Sequence, residues 1–188
     1  MRPTPATPLA SESASRPPSG VELRLARPDE LEAVGLLTRE VYVGDGYIEP
    51  TAAYVRELED AAGRAEGGEL WVAVRGGRVV GTVTFCAAGS PYREIARDGE
   101  GEFRMLAVAP EARGHGVGQA LIALMMQRAR DHGYRSVRMS TMDRMGSAHR
   151  AYERLGFTRA PEDDWSPVPG VSLLGYAADL TTPGRPAT

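Results

Sequence analysis

The 188-residue chain contains no lysine; all 22 of its basic residues are arginine. A Schiff-base enzyme, an internal pyridoxal-phosphate site and a Walker-type phosphate loop each require that amine, so all three are excluded. Cysteine is nearly as scarce. Cys86 stands alone, which leaves no intramolecular disulfide and no clustered thiolate zinc site. His115, His132 and His149 lack metal-ligand spacing, so no metal is expected. No apolar run approaches the ~20 residues of a membrane span, and the N-terminus lacks the apolar core of a secretory signal. No membrane partner is expected, and the chain reads as soluble and cytoplasmic. Nor does charge of one sign dominate. The 22 arginines against 25 acids leave −3, with no broad basic footprint for nucleic acid.

What is present suits one domain. Hydrophobic residues make up 42% and charged residues 25%, close to the average for globular proteins. A domain of this length buries roughly 68–70% of its unfolded surface and needs no covalent staple. Residues 1–20 hold five prolines and six Ser/Thr but no aromatic residue, too little apolar area to offset ordering entropy. They read as a disordered tail, and residues 181–188 as a flexible C-terminal one, which leaves a folded domain at 21–180.

Periodicity inside that span alternates between strand and helix. Val21 to Leu25 reads as a strand; Asp29 is placed to cap a helix with Leu31, Val34, Leu37 and Val41 on one side. Thr51 can cap a second helix carrying Tyr54, Val55, Leu58 and Ala62 inward. Two apolar runs joined through Gly76-Gly77 predict an antiparallel hairpin. Phe103 to Val108 reads as a strand, 117–132 as a helix, 136–141 as a strand, 144–155 as a helix and 171–180 as a strand. This order makes a mixed sheet with helices on its faces.

The most informative stretch joins the strand ending at Val108 to the helix after it, through Arg113-Gly-His-Gly-Val-Gly-Gln119. Glycine in a helix's first turn costs ~1 kcal/mol against alanine, so three there need a reason. The first N–H groups of a helix have no internal partner and carry the positive end of its dipole. Without β-carbons, an anion's oxygens can reach them directly. A dinucleotide fingerprint fails on Gln119 or Leu121, where it needs glycine.

At this point the chain resembles the GNAT superfamily of N-acetyltransferases. Arg113-Gly-His-Gly-Val-Gly118 fits that family's R/Q-x-x-G-x-G/A pyrophosphate motif, and Met105 to Pro110 fits the strand before it. Ala151-Tyr-Glu-Arg-Leu-Gly-Phe157 fits a helix ending in Y-x-x-x-G-F. One departure is Met145, where the family often has asparagine. The resemblance implies a single α/β (α+β) domain. Its sheet is mixed, mostly antiparallel and twisted, with about six to seven strands and about four flanking helices. A splay between the strands at 103–108 and 136–141 is implied as well.

The resemblance also implies an activity: direct acetyl transfer from acetyl-CoA to a primary amine of a small molecule or a protein N-terminus. Leu106, Ala107, Val108, Arg113, Gly114, His115, Gly116, Val117, Gly118, Gln119 and Tyr152 would contact the cofactor. Tyr152 would be the acid for the departing thiolate. Glu102 is the candidate base, though it reads equally as a solvated acid at a strand start. The link after the first helix would receive the amine, with Tyr42, Asp45, Tyr47 and Glu49 offering charge and cation–π contact. Asp163, Asp164 and Trp165 would extend that wall. A homodimer is left open. The alternative reading is a non-catalytic acyl-CoA-binding regulatory module of the same fold.

Overall fold

The computed structural model describes residues 17–181; the two expected tails fall outside it except for 17–20 and Thr181. The first element is β1, Val21–Leu25. Asp29 does not cap the helix that follows. Pro28–Glu30 forms a separate 3-10 turn, and Glu30 accepts the Arg27 N–H at 2.9 Å and pairs with Arg24 at 2.6 Å. Helix α1, Leu31–Gly44, then buries Val34, Gly35, Thr38 and Val41.

The helix expected from Thr51 is two short ones, α2 (Tyr54–Glu59) and α3 (Ala61–Gly67), so the described residues hold five α-helices where about four were expected. Asp60 makes the break. Its ψ of 67° leaves the helical region, and its carboxylate caps the next turn by accepting the Gly63 N–H at 2.8 Å. The inward face shifts with it, so Ala61 and Arg64 are buried while Ala62 is exposed.

Strands β2 (Glu69–Arg75) and β3 (Arg78–Cys86) form the expected hairpin. Gly76 and Gly77 both take positive φ, 57° and 77°, as a two-residue turn of this hand requires. The remaining elements are β4 (Glu100–Val108), α4 (Val117–Asp131), β5 (Ser136–Met142), α5 (Gly146–Arg154), β6 (Thr158–Arg159) and β7 (Leu173–Asp179). They complete a seven-stranded sheet of order β1-β2-β3-β4-β5-β7-β6, antiparallel except between β4 and β5. Among the described residues no helix is long and apolar enough to cross a membrane.

The main core lies between the sheet and α4 and α5, and includes Phe85, Leu121, Met125 and Val137. Phe103, Tyr152 and Phe157 meet there with ring centroids 5.9 to 6.2 Å apart. The end of α5 aims them. Phe157 N–H donates to the Tyr152 carbonyl at 3.1 Å and Gly156 N–H to that of Glu153 at 3.0 Å, which turns Phe157 back onto the helix.

Two irregularities of β4 decide what the fold can hold. Register against β3 slips by one residue, from Thr84 opposite Arg104 to Thr82 opposite Ala107, which is a β-bulge. Met105 lies in it with φ 54°, the one non-glycine residue of positive φ among those described. On its other side, β4 pairs with β5 only from Glu100 to Glu102. Beyond that point the two strands separate, as the resemblance implied.

The loop between β3 and β4 is fastened to the base of this splay. Glu102 is fully buried, and its Oε2 accepts the N–H groups of Glu94, Ile95 and Ala96 at 3.0, 2.9 and 2.9 Å. Glu102→Ala would leave three backbone donors without their acceptor. The expected loss is on the order of 3 kcal/mol, read as a lower urea midpoint at unchanged slope. Glu102→Gln keeps an acceptor oxygen and should lose clearly less.

Candidate active site

Two cavities occupy the opening between β4 and β5. The first, of about 400 Å³, is a groove between β4, the start of α4 and the face of α5. Gly116 caps α4 at φ 78°, and no side chain occupies the capping position. Val117, Gly118 and Gln119, whose N–H groups open the helix, line the groove directly. A β-carbon on Gly114 would meet nothing within 4 Å, and one on Gly118 only Val108 Cγ2 at 3.5 Å. The turn is thus open above Gly114 and nearly so above Gly118, while a β-carbon on Gly116 would meet Pro18 Cγ at 3.4 Å. This is the geometry of an anion site, with the helix dipole oriented to favour negative charge.

Nine of the residues expected around the cofactor line this groove together: Leu106, Val108, Arg113, Gly114, Gly116, Val117, Gly118, Gln119 and Tyr152. Ala107 and His115 do not. Ala107 is buried in the β3–β4 ladder, and exposed His115 turns its Nδ1 to the Arg113 carbonyl at 2.8 Å. The Arg113 guanidinium is already engaged: Nε donates to Val108 O at 3.1 Å, and both Nη atoms reach the Asp45 carboxylate at 3.1 and 2.8 Å. Tyr152 is 4% exposed, and burial pushes its phenol well above the ordinary value, so it stays a neutral donor.

The second cavity, of about 610 Å³, lies beyond the bulge, walled by the link after α1, α2, β5 and the segment before β7. It brings together Tyr42, Tyr47 and Glu49 as expected, and Trp165 with them. Asp45 lies instead in the groove, on Arg113, while Asp163 is buried on Arg97 and Arg138 and Asp164 pairs with Arg159. Sequence reasoning missed Tyr54, Glu57, Glu94, Arg104 and Arg144 in this wall. Arg144 donates to the Tyr47 carbonyl, and Arg104 pairs with Glu94 at 2.8 Å. Burial lifts the Glu94 carboxyl to about 7, with Arg104 opposing and Glu102 and Glu57 adding to the lift. Burial likewise raises the phenols of Tyr42 and Tyr54.

Tyr47 and Met145 line both cavities, and the bulge separates Met105 on one side from Leu106 on the other. Met145, where the family often has asparagine, thus stands at the neck, its Sδ accepting the Thr141 hydroxyl at 3.5 Å. Glu102 lines neither cavity. Cys86 is also outside both, fully buried, and its thiol is pushed up to about 12 by that burial. Among the described residues no three His, Cys, Asp or Glu side chains cluster as a metal site.

Known proteins share this fold. A putative acetyltransferase from Salmonella typhimurium, solved with its cofactor acetyl-CoA, superposes with TM-score 0.64 at 20% identity, covering 90% of this chain and 99% of that one. A GNAT-family acetyltransferase from Staphylococcus aureus gives TM-score 0.69 at 16% identity over 85% of this chain and 99% of that one. At such identities the likeness concerns the fold. In sequence, mouse probable N-acetyltransferase family 8 member 5 is 39% identical over 94 residues, 49% of this chain and 39% of that protein. Rat N-acetylaspartate synthetase is 32% identical over 117 residues, 62% of this chain and 37% of that protein. The chain therefore spans well under half the length of these curated relatives. The profile of the Acetyltransferase (GNAT) family matches residues 35–157, most of the described sheet with the groove and its glycine turn, and the chain belongs to that family.

Proposed function

We propose that the chain transfers an acetyl group from acetyl-CoA to a primary amine, of a small molecule or a protein N-terminus, in one direct step. The observation that carries this reading is the pair of cavities meeting at the bulge: one presents open helix amides, the other acids and aromatic faces. The diphosphate of coenzyme A would lie on the amides of Val117, Gly118 and Gln119, with its pantetheine arm along Leu106 and Val108. The thioester would then reach the neck at Tyr47 and Met145. A solved neighbour that holds acetyl-CoA, and relatives named as N-acetyltransferases, support this cofactor and an amine acceptor.

The burial of the cysteine supports direct transfer. The one cysteine is buried outside both cavities with its thiol held protonated, so no acyl-enzyme is expected. Amine and thioester must meet at the neck. There the carbonyl needs a fixed donor for its developing negative charge, and the bulged peptide at Met105–Leu106 is free of regular pairing with β3. Tyr152 supplies the donor to sulfur. A phenol raised above ~10 does not release its proton fully to a thiolate of pKa ~8.5. It stabilises the departing sulfur by a hydrogen bond instead.

The reading is tested by coenzyme A calorimetry and by thiol release from acetyl-CoA against a panel of amines. Gly116→Val forces a β-branched residue into φ 78° at the helix cap, against Pro18, and is expected to weaken coenzyme A binding at least tenfold while the far-ultraviolet spectrum is kept. Tyr152→Phe keeps the ring packing and removes the donor. Its kcat should fall roughly 10²-fold with the KM for acetyl-CoA nearly unchanged; equal turnover would return Tyr152 to a packing role.

A further inference from the structure

An ammonium must lose a proton before its nitrogen can attack, and the groups that line the acceptor cavity differ sharply in their fitness for that task. Glu49, Glu57 and Glu94 are all exposed residues of its wall, and of these three Glu94 is the one fixed by an ion pair, to Arg104 at 2.8 Å. Glu102, the acid nearest the bulge in sequence, lines neither cavity: its Oε2 accepts three backbone N–H groups and its Oε1 is buried without a hydrogen-bond partner. Glu94 remains. Its side chain lines the cavity, keeps 26% exposure and lies 2.8 Å from the Arg104 guanidinium. Arg104 adjoins Met105, the bulge residue at the neck, and its Nη1 also donates to the Tyr92 carbonyl at 3.1 Å.

Three fastenings therefore fix one carboxylate: Glu102 holds its backbone N–H, Arg104 its side chain, and the Tyr92 contact the loop before it. On the approach of an ammonium, this is the acid already aimed into the cavity. We propose that Glu94, rather than Glu102, takes the proton from the incoming amine, directly or across one water, and that Glu102 is a positioning residue that holds the loop. The proposal rests on the acetyltransferase reading above.

The step balances as follows in bonds and protons. The ammonium gives one proton to the Glu94 carboxylate, and the freed lone pair attacks the thioester carbonyl carbon. The C–N bond forms and the C–S bond breaks, so the electron pair leaves on sulfur. The second proton shed by the new amide nitrogen ends on the thiol, and Glu94 returns its own to solvent through the open mouth. The surrounding charges support the assignment. Arg104 on β4 draws the Glu94 carboxyl down, while burial, Glu102 on β4 and Glu57 on α2 lift it, for a balance at about 7. The base is thus charged above neutrality, and closer to the ~10 of an alkylammonium than an ordinary glutamate at ~4.3.

The test uses the full chain and a panel of L-amino acids, diamines, arylalkylamines and short peptides, with thiol release as readout. For the best acceptor, kcat/KM is followed from pH 5.5 to 9.5 in the wild type, Glu94→Gln, Glu94→Asp and Glu102→Gln. The wild type should show an acid limb near pH 7, with activity rising as Glu94 loses its proton. Glu94→Gln should lose that limb and roughly 10²-fold in kcat, with coenzyme A affinity unchanged by calorimetry; Glu94→Asp should restore the limb in part. Glu102→Gln should keep a limb, moved below that of the wild type because the Glu102 charge that helps to lift Glu94 is removed. A limb that survives in Glu94→Gln, or vanishes in Glu102→Gln instead, overturns the proposal while the transferase reading stands. Coenzyme A binding with no turnover of any amine by the wild type overturns both.

Discussion

A sheet paired regularly on both sides of β4 would contain no site; β4 is bulged against β3 at Met105 and pairs with β5 only as far as Glu102. Met105 holds φ at 54°, a region that costs a bulky side chain about 1–3 kcal/mol. The offset comes from packing: Met105 is buried against Ile48, Val55, Leu58 and Met142, side chains from the link after α1, from α2 and from β5. The bulge and the cluster thus depend on each other. Without the kink Met105 would not reach that side of the sheet, and without the cluster nothing would hold the kink.

From this one distortion the two cavities acquire opposite character. On the side of Leu106 and Val108 the groove ends at a helix start whose N–H groups have no intrahelical partners, a site for negative charge. On the side of Met105 the wall is built from β5, α2 and the loop fastened by Glu102, and brings Glu57 and Glu94 beside Arg104 among tyrosines. On the proposed reading, an anionic cofactor and a cationic acceptor would be drawn from opposite faces toward the same neck. Burial acts in both walls: it holds the Tyr152 phenol protonated in the groove and lifts the Glu94 carboxyl in the other cavity.

The legible parts of this architecture were those written in consecutive residues. The hairpin at Gly76-Gly77 and the glycine turn before α4 are local statements, because each glycine answers a requirement of its own backbone or of the space above it. Tyr152 was legible through its helix, whose C-terminal signal at Gly156-Phe157 fixes the face that the tyrosine presents. The acceptor wall was not. Glu94 lies in a loop without periodicity, and its partner Arg104 becomes a neighbour only when the loop folds back on β4. Glu102 misleads for the same reason. Its chain position suggests a strand-start acid open to the site, whereas three N–H groups from that loop close over it. The break at Asp60 was hidden in an alanine-rich run that propensity alone would continue as one helix.

The arginine of the glycine turn shows why motif position and side-chain role must be argued separately. Arg113 stands where the family motif begins, yet its guanidinium faces Asp45 and the Val108 carbonyl. Arg113 and Asp45 keep 40% and 26% side-chain exposure, so the pair contributes little to stability. Its effect is positional. It ties the link after α1 to the start of the turn, and two residues beyond Asp45 stands Tyr47, which lines both cavities. The side chain that the resemblance assigned to the cofactor thereby joins the wall of the groove to the wall of the second cavity, and on the proposed reading the anion would be held by the backbone of the glycine turn.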